Sequence, residues 1–166
     1  MLRWMLKKCL APIAERKQIK MDFNMRPIGI IRSPFTDQEK TPIQASRSQA
    51  PGQVEVIPEY VEGLQDLDGF SHIILLYVWH EARGYDLLVK PFLDDHLRGV
   101  FATRYPGRPN QIGISVVGLR SIHGNILEIE GVDMLDKTPL LDIKPYVPDF
   151  DIRTGTRSGW YETRTK

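Results

Sequence analysis

The side chains of this chain that could do chemistry concentrate in two stretches. The first, Gly99 to Gly113, sets Arg104, Arg108 and Asn110 among glycines and prolines on a loop that enters a strand. Prolines stiffen such a loop and lower the entropic cost of ordering it around a ligand. A guanidinium there can grip a carboxylate or phosphate through two parallel hydrogen bonds; a surface turn with a structural ion pair has the same composition. The second stretch, Gly131 to Tyr146, places Asp133, Asp136 and Asp142 around a turn and a strand, with Lys144 and Tyr146 at its end. Carboxylates in that setting can accept hydrogen bonds from a ligand's amine or ribose hydroxyls, and aspartate also forms turns with no ligand at all.

His80, followed by Glu81, closes the most hydrophobic segment of the chain. A strand end beside a loop is a usual place for a site residue. His72 and His123 lie in or beside strands and read as structural. The four histidines make no zinc-like pairing with other ligand types, so no metal site is expected. A single cysteine, Cys9, excludes an intramolecular disulfide framework and a Cys-rich zinc site. No G-x-G-x-x-G follows a strand, and no P-loop, H-E-x-x-H or G-x-S-x-G occurs.

The elements that must position these residues are mostly short strands. Pro27 to Arg32 is a β-branched run stopped by Ser33-Pro34. Residues 33 to 51 read as a long loop, and loops of that length in a compact domain are often functional. Gln53 to Ile57 alternates like a half-buried strand, and Pro58 opens a short helix over Glu59 to Leu64. Ser71 to Trp79 is an unbroken apolar run that suits a strand buried on both faces. Ile112 to Arg120 is a strand in which Gly113 and Gly118 mark bulges or close backbone approach, and in which Ile114 reads as a core residue. Ser121 to Gly124 is a turn, Asn125 to Glu130 the hairpin partner, and Thr138 to Ile143 a last strand ended by Pro145 and Pro148. The pattern predicts a mainly β, single-domain barrel or sandwich with one or two short helices and no βαβ alternation.

At 166 residues, with 42% hydrophobic and 26% charged side chains, the chain is long enough to bury a core and too short for two ordinary domains. Its net charge of +1 argues against an extended nucleic-acid clamp, but the charge is unevenly spread. Residues 1 to 27 hold seven basic and two acidic side chains, residues 151 to 166 four basic and two acidic, and the body between them carries a net −6. Basic ends of this kind attract phosphate, or are simply solvated termini. Residues 1 to 25 read as a faintly amphipathic basic arm, and Met21 and Met25 raise the expectation of a later natural start. Residues 152 to 166 read as a tail. No run approaches the apolar length of a membrane span.

The chain resembles the TrmO family of S-adenosylmethionine-dependent tRNA adenine-N6 methyltransferases, also called TsaA-like proteins. The similarity rests on Pro27 to Phe35 (PIGIIRSPF), Leu67 to His72 (LDGFSH), Gly99 to Arg104 (GVFATR), Arg108 to Gly113 (RPNQIG) and Leu141 to Tyr146 (LDIKPY), in family order from residue 26 to about 151. The resemblance implies a small non-Rossmann β-barrel, a homodimer, cytoplasmic location, S-adenosylmethionine as cofactor and the anticodon loop of tRNA as partner. It implies cofactor contacts from Pro42, Ile43, Gln44, His80, Glu81, Arg104, Ile114, Asp133, Met134, Leu135 and Asp136.

Three positions depart from the family pattern. Ile43 stands where an arginine is usual, Gln111 where a proline is usual, and Lys137 where a glycine is usual. Longer bacterial members also continue into a C-terminal extension beyond the region matched here. For methyl transfer to an adenine N6 amine the site needs a hydrogen-bond acceptor for the N–H. Asp133, Asp136 and Asp142 are candidates, Tyr146 could stack on the base, and Arg108, Asn110 and Lys144 are candidate substrate contacts. A related methyltransferase with a small-molecule acceptor, or a non-catalytic module for an adenosine-like ligand, would share these features.

Overall fold

The structure, a computed structural model, describes residues 24–163; the basic arm before residue 24, with Cys9, lies outside the described residues. Among the described residues eight strands occur: β1 (Gly29–Arg32), β2 (Pro51–Val56), β3 (His72–Val78), β4 (Leu88–Val89), β5 (Arg98–Gly99), β6 (Ile112–His123), β7 (Ile126–Glu130) and β8 (Thr138–Pro145). Six of them close a barrel in the order β1-β2-β7-β6-β3-β8, and every neighbouring pair is antiparallel. The seam is β1 against β8, with Ile30 opposite Pro139 and Ile31 opposite Thr138. One short α-helix, α1 (Pro148–Asp151), and several single turns of 3-10 helix complete the described residues. The helix expected after Pro58 is a 3-10 helix over Pro58–Leu64 with Pro at its start.

Alternation along each strand builds the core. Ile31, Val54, Val56, Ile73, Leu75, Tyr77, Leu127, Ile129 and Leu140 all point inward and are almost completely buried. Removing such a side chain from water contributes roughly 1.5–3 kcal/mol each.

Three expectations are corrected. The apolar run in β3 is buried on its inner face only; His72 is exposed, and Ile74, Leu76 and Val78 are half-buried on the outside. The turn expected over Ser121 to Gly124 is instead Gly124-Asn125, because β6 continues to His123, which pairs with Ile126. Gly124 takes a φ of +62° there, as a tight two-residue hairpin turn requires. Gly113 is a close approach, but Gly118 is not: a Cβ added at Gly118 would meet nothing nearer than 3.7 Å.

Between β3 and β6 the chain leaves the barrel and forms the two-stranded β4–β5 unit. Asp94 holds it: its carboxylate accepts from the backbone N–H of His96 at 3.1 Å and from Nε of Arg98 at 2.7 Å, and lies 3.0 Å from the His96 ring. The His96 contacts, with Arg98, keep the Asp94 carboxyl well below the usual carboxylate range. The C-terminal segment returns to this unit. Trp160 Nε1 donates to the Ala102 carbonyl at 2.7 Å, and the Arg98 guanidinium sits 5.5 Å from the centre of the Trp160 ring.

Candidate functional site

The long loop after β1 is clipped at both ends to the segment between β7 and β8. At its start, Ser33 Oγ donates to the Met134 carbonyl at 2.7 Å, while Ser33 N donates to Asp136 Oδ1 at 3.2 Å. Near its end, Ser48 Oγ donates to the Val132 carbonyl at 2.6 Å, and Gly131 N donates to Ala50 O at 2.9 Å. Strapped this way, the loop overhangs the outer face of β6. Beneath it runs a groove of about 500 Å³ whose lining includes Gln44, Arg104, Ile114, Val116 and Asp133.

Ile114 is not a core residue, as reading its strand by composition alone implied. It is 50% exposed and forms the groove floor with Val116. The two point outward because Gly113, Ser115 and Val117 take the inward positions of β6. Across the groove, Arg104 Nη1 donates to Gln44 Oε1 at 2.7 Å, joining two of the predicted contact residues directly.

Asp133 is the buried charge of the site, 5% exposed. Its carboxylate accepts from Ser115 Oγ at 2.6 Å, and Ser115 Oγ lies 3.1 Å from the Tyr77 hydroxyl. Burial pushes the Asp133 carboxyl above the ordinary aspartate value, opposed by Ser115, by the backbone amides of Ala45 and of Asp133 itself, and by the nearby Arg104 charge. Burial next to the Asp133 charge likewise pushes the Tyr77 hydroxyl up, so it stays protonated at any ordinary pH. The result is a preorganised acceptor at the wall of the groove, supported from inside the barrel.

The other predicted residues are placed as follows. Met134 is fully buried in the core and Leu135 half-buried; their carbonyls are held by Ser33 and by Thr138 Oγ1 respectively. Asp136 is engaged by the start of the loop, donating its own N–H to the Phe35 carbonyl at 2.7 Å. Pro42 and Ile43 lie in the loop beside Gln44, Ile43 being 40% exposed. His80 and Glu81 stand just past the end of β3, exposed, with 4.0 Å between Nε2 and Oε1. Arg108 donates to the Val100 and Thr103 carbonyls at 3.3 and 3.5 Å, which employs it in closing its own loop; Asn110 is exposed on the same loop. Asp142 and Lys144 pair with each other at 2.7 Å on the outside of β8. Tyr146 packs edge-on against His72, ring centres 6.3 Å apart.

Sequence reasoning missed Ser33, Ser48, Ser115 and Tyr77. For Ser115 a signal existed: it is the one hydroxyl at an inward position between Gly113 and Val117 in an apolar strand.

A closed antiparallel barrel with a loop-strapped groove of about 500 Å³ on its outer face defines a small-ligand-binding β-barrel built without a dinucleotide fold. Comparison with known proteins makes this specific. The family model of the tRNA-methyltransferase O N-terminal domain matches residues 30–152, and the chain belongs to that family. It is 59% identical over 138 residues to a Pyrococcus abyssi protein described as "Probable S-adenosyl-L-methionine-binding protein", covering 82% of this chain and 75% of that one. It is 35% identical over 151 residues to the mouse tRNA (adenine(37)-N6)-methyltransferase, covering 86% of this chain and 34% of the mouse protein. The crystal structure of TrmO from Pseudomonas aeruginosa superimposes with a TM-score of 0.74 at 39% identity, over 88% of this chain and 66% of that one. The chain thus spans about a third of the mouse relative and just under two thirds of the TrmO structure.

Proposed function

We propose that this chain binds S-adenosylmethionine in the groove under the 33–50 loop and methylates the N6 amine of the adenosine, or threonylcarbamoyl-adenosine, that lies 3′ to a tRNA anticodon. The observation that carries the reading is the convergence of Gln44, Arg104, Ile114 and Asp133 on one groove in a chain of the tRNA-methyltransferase O family. The donor set fits such a cofactor. Arg104 suits the carboxylate of an amino acid moiety, Asp133 an amine or ribose hydroxyl, and the Ile114–Val116 floor a purine face. A volume of about 500 Å³ lies in the usual range for small-molecule sites. Bound there, S-adenosylmethionine supplies an electrophilic methyl group, and the chain's own contribution is to position and to exclude water.

The reading includes a homodimer. Leu87, Leu88, Phe92, Leu97 and Phe101, all in the excursion between β3 and β6, are 60% to 81% exposed. Five large apolar side chains this exposed on one short segment of a small protein argue for an interaction surface, and a second copy of the chain is the partner assigned to it. Two measurements test the function. Calorimetry with S-adenosylmethionine should show binding that Arg104→Ala abolishes while the variant stays folded. Mass spectrometry of bulk tRNA from a deletion strain should show loss of N6-methylated adenosine; unchanged levels would refute the tRNA substrate.

A further inference from the structure

Three adjacent strands each give one residue to a single row on the barrel's outer face. His72 of β3 lies opposite Gly118 of β6, and Gly118 lies opposite Glu130 of β7. All three line the groove, at the end away from Ile114. With neighbouring strands about 4.8 Å apart, His72 and Glu130 stand roughly 10 Å from each other across the glycine. Packing does not demand a glycine at 118, because an added Cβ would approach nothing closer than the Glu130 carbonyl at 3.7 Å. The missing side chain instead opens a slot between an imidazole and a carboxylate.

Both walls of the slot are held in place. Behind His72, Ser71 Oγ lies 2.9 Å from the ring Nδ1, and the Tyr146 ring packs against the imidazole at 63° between planes. On the other side the β6–β7 register shifts between Leu119 and Ser121, which leaves Arg120 at a bulge. Bulges re-aim side chains, and here Arg120 turns onto Glu130, both Nε and Nη2 donating to the same oxygen, Oε2. Oε1 of Glu130 is left to accept from something in the groove.

We propose that the His72–Gly118–Glu130 row is the acceptor subsite of the groove, separate from the cofactor end at Arg104 and Ile114. It takes a splayed-out base that carries an exocyclic amine. Oε1 of Glu130 accepts the amine N–H, and the His72 ring, backed by Tyr146, lies along the base. This assignment rests on the methyl-transfer reading above. Four residues of strand separate Ile114 from Gly118, about 13 Å, enough to lay a nucleoside cofactor and an acceptor base along one strand. As the amine nitrogen takes the methyl carbon, the electron pair of the broken carbon–sulfur bond stays on sulfur and the amine proton passes to Oε1 of Glu130.

Gly118→Val tests the slot, because it puts a side chain into the space and its Cβ meets no atom nearer than 3.7 Å. The variant should bind S-adenosylmethionine with an affinity within about threefold of the parent, yet show a KM for bulk tRNA raised tenfold or more. Glu130→Gln should keep the affinity for S-adenosylmethionine and lose about 100-fold in kcat, the low end of what a positioned proton acceptor contributes. A cofactor affinity that falls tenfold in Gly118→Val would put the cofactor in the slot and overturn the assignment. Unchanged transfer kinetics in both variants would overturn it as well. If the parent chain binds S-adenosylmethionine but methylates no tRNA, the proposed function fails first, and the acceptor subsite falls with it.

Discussion

The ring of Tyr77 fills the space that a side chain at Gly113 would need. A Cβ on Gly113 would lie 2.2 Å from Cε2 and 2.5 Å from Cζ of that ring. The two residues face each other across the β3–β6 ladder. The contact fixes where the Tyr77 hydroxyl ends up, which is beside Ser115 and through it Asp133.

Gly113→Ala is therefore expected to destabilise the fold by about 3 kcal/mol, the upper part of the usual overpacking range. Combining it with Tyr77→Leu should recover part of that loss. Urea unfolding of the two variants checks both statements; an alanine that costs nothing would mean the ring moves freely.

Asp133 sets a pH dependence of definite sign. Its carboxyl titrates higher in the folded chain than the ordinary 3.8 because it is buried. The folded state then holds that proton more tightly than the unfolded state, so this group favours folding below its unfolded pKa and loses that contribution as pH rises through the folded value. Asp133→Asn should gain stability relative to the parent as pH is raised from the ordinary carboxylate range toward neutrality. Thermal unfolding of both proteins across that range measures it. A difference that stays flat with pH would show that the Ser115, Ala45 and Arg104 contacts cancel the burial, and one that falls would show that they outweigh it.

Lys137 has a φ of +63°, a left-handed backbone that costs a non-glycine residue about 1–2 kcal/mol. That is a physical reason for the glycine usual at this position in the family. Lys137→Gly is expected to stabilise the chain by about 0.5–1 kcal/mol, after allowing for the larger entropy glycine brings to the unfolded state. The denaturation midpoint should rise with an unchanged slope.

If the apolar patch is a dimer face, Phe92, 81% exposed, is the residue to charge. Phe92→Asp should give a monomer by sedimentation at concentrations where the parent is a dimer, with the far-ultraviolet dichroism of the two proteins alike. A parent that is already monomeric would refute the patch assignment.

Strand placement was legible because turns and alternation are local. Gly113 could be read as a close approach because glycine inside a strand carries that meaning. Ile114 misled for an equally local reason: an apolar residue on a strand implies burial, and only the closed barrel shows that its face is the floor of a groove. The same effect hid the one-sided burial of β3, whose outer residues are apolar too. Nothing in the sequence paired Glu130 with His72, since what joins them is register across three strands. Arg104 was legible from its own loop, but its pairing with Gln44, 60 residues away in sequence, was not, because nothing local links a loop glutamine to an arginine beyond β3.

The seam between β1 and β8 has a consequence for how the molecule comes into being. The β6–β7 hairpin closes over two residues, but Ser33 reaches Asp136 across a separation of 103 residues. Contacts at that range are entropically costly to bring together and tend to limit folding rate. A nascent chain emerging from the ribosome has hairpins long before it has a barrel, and it has no strapped loop until residues 131–136 have been made. The groove is then among the last parts of the molecule to exist, so a chain that holds its ligand has thereby completed its fold.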